Sequence, residues 1–382
     1  NNCMNLLNRT IENRPNILDF REYQYGLIPE LLKSAFLYLQ SLGFNFDSIN
    51  YKEEIIDNVC YRSQNFFDTK TYKIKLHNTK DWFLQLSIPT LIEGQFFFLN
   101  GSKYCPGYWL MDPPITVKER SVLCYSLFNS ITFFGADNRV IFLGHNIPIC
   151  RFLRLFLNET EIEFLVSREY LNAKYTYENY DYSMVELGKI IGGVSDPVLI
   201  KDKFNRIFFD YWTEGLYKEF YNVDKINFDI LINNLLFDSL RNRKNKSFID
   251  LHYKRLVFIE YFLTPFYRAI SSASKYILNG QTPYKLALNI GDVIEFFFTK
   301  MDKFNLYNIT NGFGGGLLDL KATFKNPNSI GELPSEVSSI HPSYKNKIDL
   351  VSISNTKPGR VISLVPEQNL KSLKYGIFTF DD

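Results

Sequence analysis

The segment GQFFFLNGSKYCPGYWLMDPP, Gly94 to Pro114, decides how the chain is read. Its apolar run QFFFL predicts a strand, and Asn100-Gly101 predicts a tight hairpin turn because both residues tolerate positive φ. Pro106, Gly107, Pro113 and Pro114 then break regular structure and mark a module boundary. Upstream, TYKIKLHN and WFLQLSI alternate in polarity, so a small sheet is expected between about Tyr72 and Leu99. Further upstream, PELLKSAFLYLQSL (Pro29 to Leu42) carries apolar residues at helical spacing and ends at Gly43, where a C-terminal cap belongs.

Downstream of the boundary the pattern is mixed. ITFFG and RVIFLG predict strands around an Asp137-Asn138 turn, and helices are expected over Ile149–Phe156 and Ile226–Ser239. Asp250 to Ile277 reads as one long helix interrupted at Pro265, followed by a second helix over Ile290–Met301. From Asn308 the chain turns rich in Gly, Ser, Asn and Pro, with KIDLVSIS and RVISLV as strand-like pieces. The expectation is an α+β, multi-module protein of mixed helices and small sheets.

Composition bounds the function. At 382 residues the chain exceeds what one core organises, and 46% hydrophobic with 22% charged residues is globular rather than disordered. The 35 Phe and 25 Tyr follow an AT-rich codon bias as readily as a binding role. A net charge of +2 gives no whole-chain field for nucleic acid, so any basic footprint must be local. Cys3, Cys60, Cys105, Cys124 and Cys150 form no C-x-x-C pair and are expected as buried thiols in a reducing compartment. No run of about 18 apolar residues exists, so no membrane partner is expected.

Chemistry-bearing motifs are sparse. A polymerase metal site needs clustered aspartates to hold two Mg²⁺ ions, and no D-x-D cluster occurs. The glycines of NGFGGGLLD, including Gly314, Gly315 and Gly316, lack the Lys-Ser/Thr ending of a P-loop and read as a flexible loop or hinge, with a direct backbone contact to nucleic acid as the alternative. His77, His145, His252 and His341 are dispersed beyond metal-ligand spacing. The cluster RNRKNK, Arg241 to Lys246, reads as a solvated turn or a local basic contact.

Three segments, in this order, resemble the β (second-largest) subunits of multisubunit DNA-dependent RNA polymerases. GQFFFLNGSKY is similar to the family hairpin in which Gly-x-Phe runs into Asn-Gly, matched at Gly94, Phe96, Asn100 and Gly101. DLHYKRLVFIEYFLTPFYRAI, Asp250 to Ile270, resembles the return from lobe to protrusion, with Asp250, Lys254 and Arg255 in comparable places. SIHPSYKNKIDLVSISNTKPGRVISL, Ser339 to Leu364, resembles the fork region. There Ile340, His341, Pro342 and Ser343 match its beginning, and Thr356, Gly359, Ile362 and Leu364 its end. The family's Glu and Asn fall on Pro358 and Val361, and its basic segment ahead of the fork glycines has no counterpart here.

The resemblance implies a division into a first protrusion segment (1–112), a lobe (113–249), a protrusion return (250–310) and a fork region (311–382). It implies the amino-terminal half of β in the split form of giant bacteriophages, acting in the cytoplasm of the infected bacterial host. Such a chain holds no metal itself. Mg²⁺ in the assembled enzyme is held by a β′-type subunit, and the partners are that subunit, the C-terminal half of β, a promoter-specificity factor, DNA and the RNA–DNA hybrid. Phosphate contacts are expected from Lys345, Lys347, Lys357 and Arg360, with Lys254 and Arg255 behind them. The competing readings are a structural or scaffold protein of an AT-rich virus and a stand-alone nucleic-acid-binding factor.

Overall fold

The computed structural model describes residues 15–44, 49–61, 65–76, 84–99, 102–118, 121–133, 139–167, 179–236, 247–281, 306–308, 320–324, 336, 339–353 and 361–380. Over them the chain is mixed α+β with small sheets.

The chain opens with helices α1 (Phe20–Gly26) and α2 (Ile28–Ser41). In α2 the side chains of Leu31, Leu32, Ala35, Phe36 and Leu39 are buried, which is the stripe that the apolar spacing predicts. Gly43 follows at φ +102°, a conformation that costs glycine least.

The first sheet contains β1 (Ile49–Tyr61), β2 (Asn65–Leu76), β3 (Leu84–Pro89), β4 (Phe97–Leu99) and β5 (Ser102–Pro106). The strands β4 and β5 pair antiparallel with Leu99 opposite Ser102, on either side of the expected hairpin turn. Asn100 and Gly101 themselves lie outside the described residues. Next comes β6 (Tyr108–Met111), where the prolines suggested broken structure. Its Tyr108 and Leu110 are fully buried, and their burial outweighs the flanking prolines, which sit beyond its ends.

The chain then makes a long excursion. Strands β7 (Ile115–Val117), β8 (Val122–Tyr125), β9 (Ser130–Phe133), β10 (Arg139–Phe142) and β11 (His145–Pro148) form an antiparallel meander. Helices α3 (Ile149–Leu153), α4 (Glu159–Ser167), α5 (Tyr180–Ile190), α6 (Pro197–Phe208) and α7 (Tyr211–Tyr221) follow. Asn179, Asp196 and Asp210 cap the last three by accepting from backbone N–H groups of their first turns. The expected helix from Ile226 is a short turn, Phe228–Ile230, continuing as a π-helix over Leu231–Leu236. Phe142, Phe152, Phe204, Phe208 and Phe228 meet in edge-to-face and tilted contacts in the core that the excursion builds, so the Phe-rich composition is used for packing.

The return differs from the expected long helix. Leu251–Tyr253 is a 3₁₀ turn and Arg255–Val257 is strand β12; helices α8 (Ile259–Phe262) and α9 (Thr264–Leu278) follow. All three β12 residues are buried, and an unbroken apolar run reads equally as buried strand or helix. Pro265 does not interrupt a helix: it sits in the first turn of α9, where its missing N–H costs nothing.

Strand β13 (Leu306–Asn308) adds to β5 in the first sheet. The third sheet has the order β15-β14-β6-β12-β17-β16, made from β14 (Lys321–Phe324), β15 (Val361–Ser363), β16 (Leu370–Ser372) and β17 (Ile377–Phe378). RVISLV is thus a strand, as expected. In place of a strand, the described residues of KIDLVSIS form the Ile348 bridge to Leu364 and a 3₁₀ turn over Leu350–Ser352, capped by Asp349.

Two cores result. The larger joins α1, α2, the first and third sheets, α8 and α9 and takes in Phe128, Trp212 and Leu216 of the excursion; the other is built from the excursion together with Leu278 of α9. Their seam combines aromatic packing, such as Tyr38 stacked on Phe128 at 4.8 Å, with polar contacts. Asn129 donates to Tyr38 Oη (2.6 Å) and to the Ile207 carbonyl (3.1 Å), and Leu127 N donates to Thr213 Oγ1 (2.9 Å). Asp210, buried at 5% exposure, accepts from Thr213 N (3.0 Å) and Thr213 Oγ1 (2.5 Å).

Burial pushes the Asp210 carboxyl up to about 6, against the opposing pull of the Thr213 hydrogen bonds. The folded protein therefore holds this proton more tightly than the unfolded chain, and the associated stability is full below pH ~4 and lost as the pH rises to about 6. Asp210→Asn keeps a capping oxygen without the titration. Its stability relative to wild type should rise across that window by up to ~3 kcal/mol. Urea unfolding at a series of pH values checks this; a flat difference between the two proteins would count against it.

Candidate nucleic-acid interface

The excursion leaves the third sheet after β6 and re-enters it at β12, and the two strands pair antiparallel with Arg255 opposite Met111 and Val257 opposite Trp109. Asp112 and Lys254, the residues flanking this pair, form a salt bridge with side chains only 10% and 2% exposed. Lys254 Nζ also lies 3.9 Å from the Phe248 ring centroid. Burial lowers the Lys254 pKa, and the Asp112 carboxylate opposes that shift. Beside it, Arg255 grips Glu260 through two hydrogen bonds, 2.8 and 2.6 Å, with both residues buried.

Lys254 and Arg255, expected as phosphate contacts, are thus engaged inside the fold. Their cationic heads meet Asp112 and Glu260. Sequence reasoning missed both carboxylates: Asp112 is 142 positions from Lys254, and Glu260 looked like an ordinary residue of the expected helix.

The segment beginning at His341 packs against the return. Pro342–Tyr344 is a 3₁₀ turn with His341 as its N-cap residue. Ser343 Oγ accepts from Leu251 N at 3.0 Å and lies 2.8 Å from His341 Nδ1. Asp250 Oδ1 stands 2.7 Å from His252 Nδ1 and 3.7 Å from His341 Nδ1. The His252 ring stacks on Phe380 with centroids 3.7 Å apart. Pro342 is exposed and His341 half-buried.

Beyond the turn lies an open cleft of 1220 Å³ whose lining includes His341, Lys345, Lys347, Val351 and Gln368. Lys345 is exposed and available to an anion. Lys347 is buried: its carbonyl accepts from Val365 N (2.9 Å) and Gln368 Nε2 (2.8 Å), and its ammonium is 5.8 Å from the Phe380 centroid. Gln368, unmarked by any motif, holds the two chain segments together at this point.

Lys357, Arg360, Thr356, Gly359, Gly314, Gly315 and Gly316 lie outside the described residues, as do the RNRKNK cluster and the helix expected over Ile290–Met301. Cys105 and Cys124 are buried and Cys150 is partly exposed. Among the described residues no group of three or more His, Cys, Asp or Glu side chains could hold a metal ion, and no helix is long and apolar enough to cross a membrane. No protein-family model and no curated protein matches the chain.

Proposed function

We propose that this chain is the amino-terminal half of an RNA polymerase β subunit, in the split form of giant bacteriophages, working in the cytoplasm of the infected host. Residues 1–112 and 250–310 then serve as the protrusion, 113–249 as the lobe and 311–382 as the fork region. The metals and the nucleotidyl-transfer chemistry belong to a β′-type partner, and the C-terminal half of β completes the second subunit.

One observation carries the reading. The three segments that resemble the family, far apart in sequence, touch one another in turn: Phe97 of the first packs on Phe262 of the second at 5.8 Å, and Leu251 N of the second donates to Ser343 Oγ of the third. The excursion between β6 and β12 supplies every buried residue of the second core except Leu278, which suits a lobe carried on a protrusion. A scaffold protein has no comparable reason to bring these segments together.

Of the described cations proposed to face nucleic acid, Lys345 is the exposed one. In the assembled enzyme Lys345→Gln should weaken retention of DNA or hybrid and reduce the salt slope of binding by about one. An unchanged slope across a salt series would remove Lys345 from the interface.

The test of the whole reading is purification of the tagged chain from its native source. Several large chains should accompany it at fixed stoichiometry, and the complex should polymerise ribonucleotides on a DNA template. Recovery of the chain alone, or as an assembly of its own copies, would overturn the proposal.

A further inference from the structure

A second cleft, of 860 Å³, lies at the seam between the two cores. One wall is a face of α9 on which Thr264, Arg268, Ser271, Ser272 and Lys275 recur at helical spacing. The opposite wall comes from Tyr125 to Ser130 and from the turn after β10. Its volume falls within the ~300–1,000 Å³ usual for sites that take small molecules.

Among the described residues that line this cleft the carboxylates are Asp112 and Glu260, and Lys254 and Arg255 already engage them. Arg268 and Lys275 are exposed and form no ion pair among the described residues. About 10 Å separates them along the helix axis, with the Ser271 and Ser272 hydroxyls between. Two further donors belong to lining residues: Trp212 Nε1 and Tyr267 Oη are shielded from solvent and have no acceptor, which costs about 1–3 kcal/mol each. Tyr125 and Tyr261, each part-exposed, line the same space, with the Tyr261 ring packed on Trp109 at 4.8 Å.

We propose that this cleft is a binding site for a free nucleotide. Its phosphates lie between Arg268 and Lys275 over the serine hydroxyls, and its base lies in the part of the cleft that Tyr125 lines. This site is distinct from the fork region and goes beyond the polymerase reading. Two free cations suit one short phosphate chain, whereas a groove that tracks a nucleic-acid strand carries a longer series of them.

Calorimetric titration of the full chain with ATP, tripolyphosphate and a short oligothymidylate tests the assignment. ATP should bind saturably, and tripolyphosphate should compete with it more weakly. Arg268→Ala combined with Lys275→Ala should lower ATP affinity on the order of tenfold or more, since each removes a charge-assisted contact. The urea midpoint of the double variant should match wild type, because both side chains are exposed. Absence of saturable ATP binding, or equal ATP affinity in the double variant, overturns the proposal. Tripolyphosphate binding as tight as that of ATP overturns the contact with the base. Oligothymidylate bound in preference to ATP, and lost in the double variant, overturns it in favour of a nucleic-acid strand.

Discussion

Gly376→Ala is expected to lose more than ~4 kcal/mol of stability and to leave little folded protein at 37 °C. Gly376 lies in the turn between β16 and β17 at φ +64°, and its carbonyl accepts from Leu256 N at 2.7 Å. A Cβ at this position would stand 1.8 Å from the Leu256 carbonyl oxygen. The obstruction is backbone of β12, a central strand of the third sheet, so no side chain can rotate to relieve it. Gly144→Ala is the control. Gly144 also has positive φ, +82°, but its Cβ would meet nothing within 4 Å, so only the conformational cost of about 1 kcal/mol applies. Far-UV circular dichroism and urea midpoints of the two variants give the comparison. Similar midpoints would show that β12 and the turn can separate without loss, and the close approach would carry no weight.

The same glycine shows where sequence reasoning stops. The helix Ile28–Ser41 and the β4–β5 pairing were legible because their determinants are local: an apolar stripe ending at Gly43, and an Asn-Gly between two strands. Nothing beside Gly376 announces that another strand passes within contact distance, since that strand lies far back in the chain. The misread return segment has a related cause. KRLVFIE has no period to separate helix from strand, and the choice falls to burial: β12 sits between β6 and β17, which enclose it on both edges.

Within the candidate site, the sequence marked segments that meet in the fold, but it did not separate exposed side chains from buried ones. Asp250 and the His341–Ser343 turn do meet, and their contact is visible in advance only as a resemblance in order. Charge type alone could not separate Lys345, which is exposed, from Lys254 and Lys347, which are buried. Separating them requires knowing which carboxylates, carbonyls and rings the fold brings alongside.

Removing one member of the Asp112–Lys254 pair should be the second large effect. Lys254→Met leaves the Asp112 carboxylate largely shielded and without its cation, and Asp112→Leu leaves a buried ammonium over the Phe248 ring; each should cost about 3–5 kcal/mol. The double variant should recover most of that loss, because an apolar pair of similar volume incurs no desolvation of charge. A thermodynamic cycle on urea unfolding measures the coupling, and single variants costing under ~1 kcal/mol would mean that the pair is screened as surface pairs are. The cycle also bears on function. If the chain retains nucleic acid as proposed, a lysine whose charge is spent on closing the neck of the excursion should leave the salt dependence of that retention untouched in the double variant, while Lys345→Gln should flatten it. If the double variant instead lowers the salt slope with its fold intact, Lys254 reaches phosphate through an opened neck, and the excursion must move relative to the third sheet when nucleic acid binds.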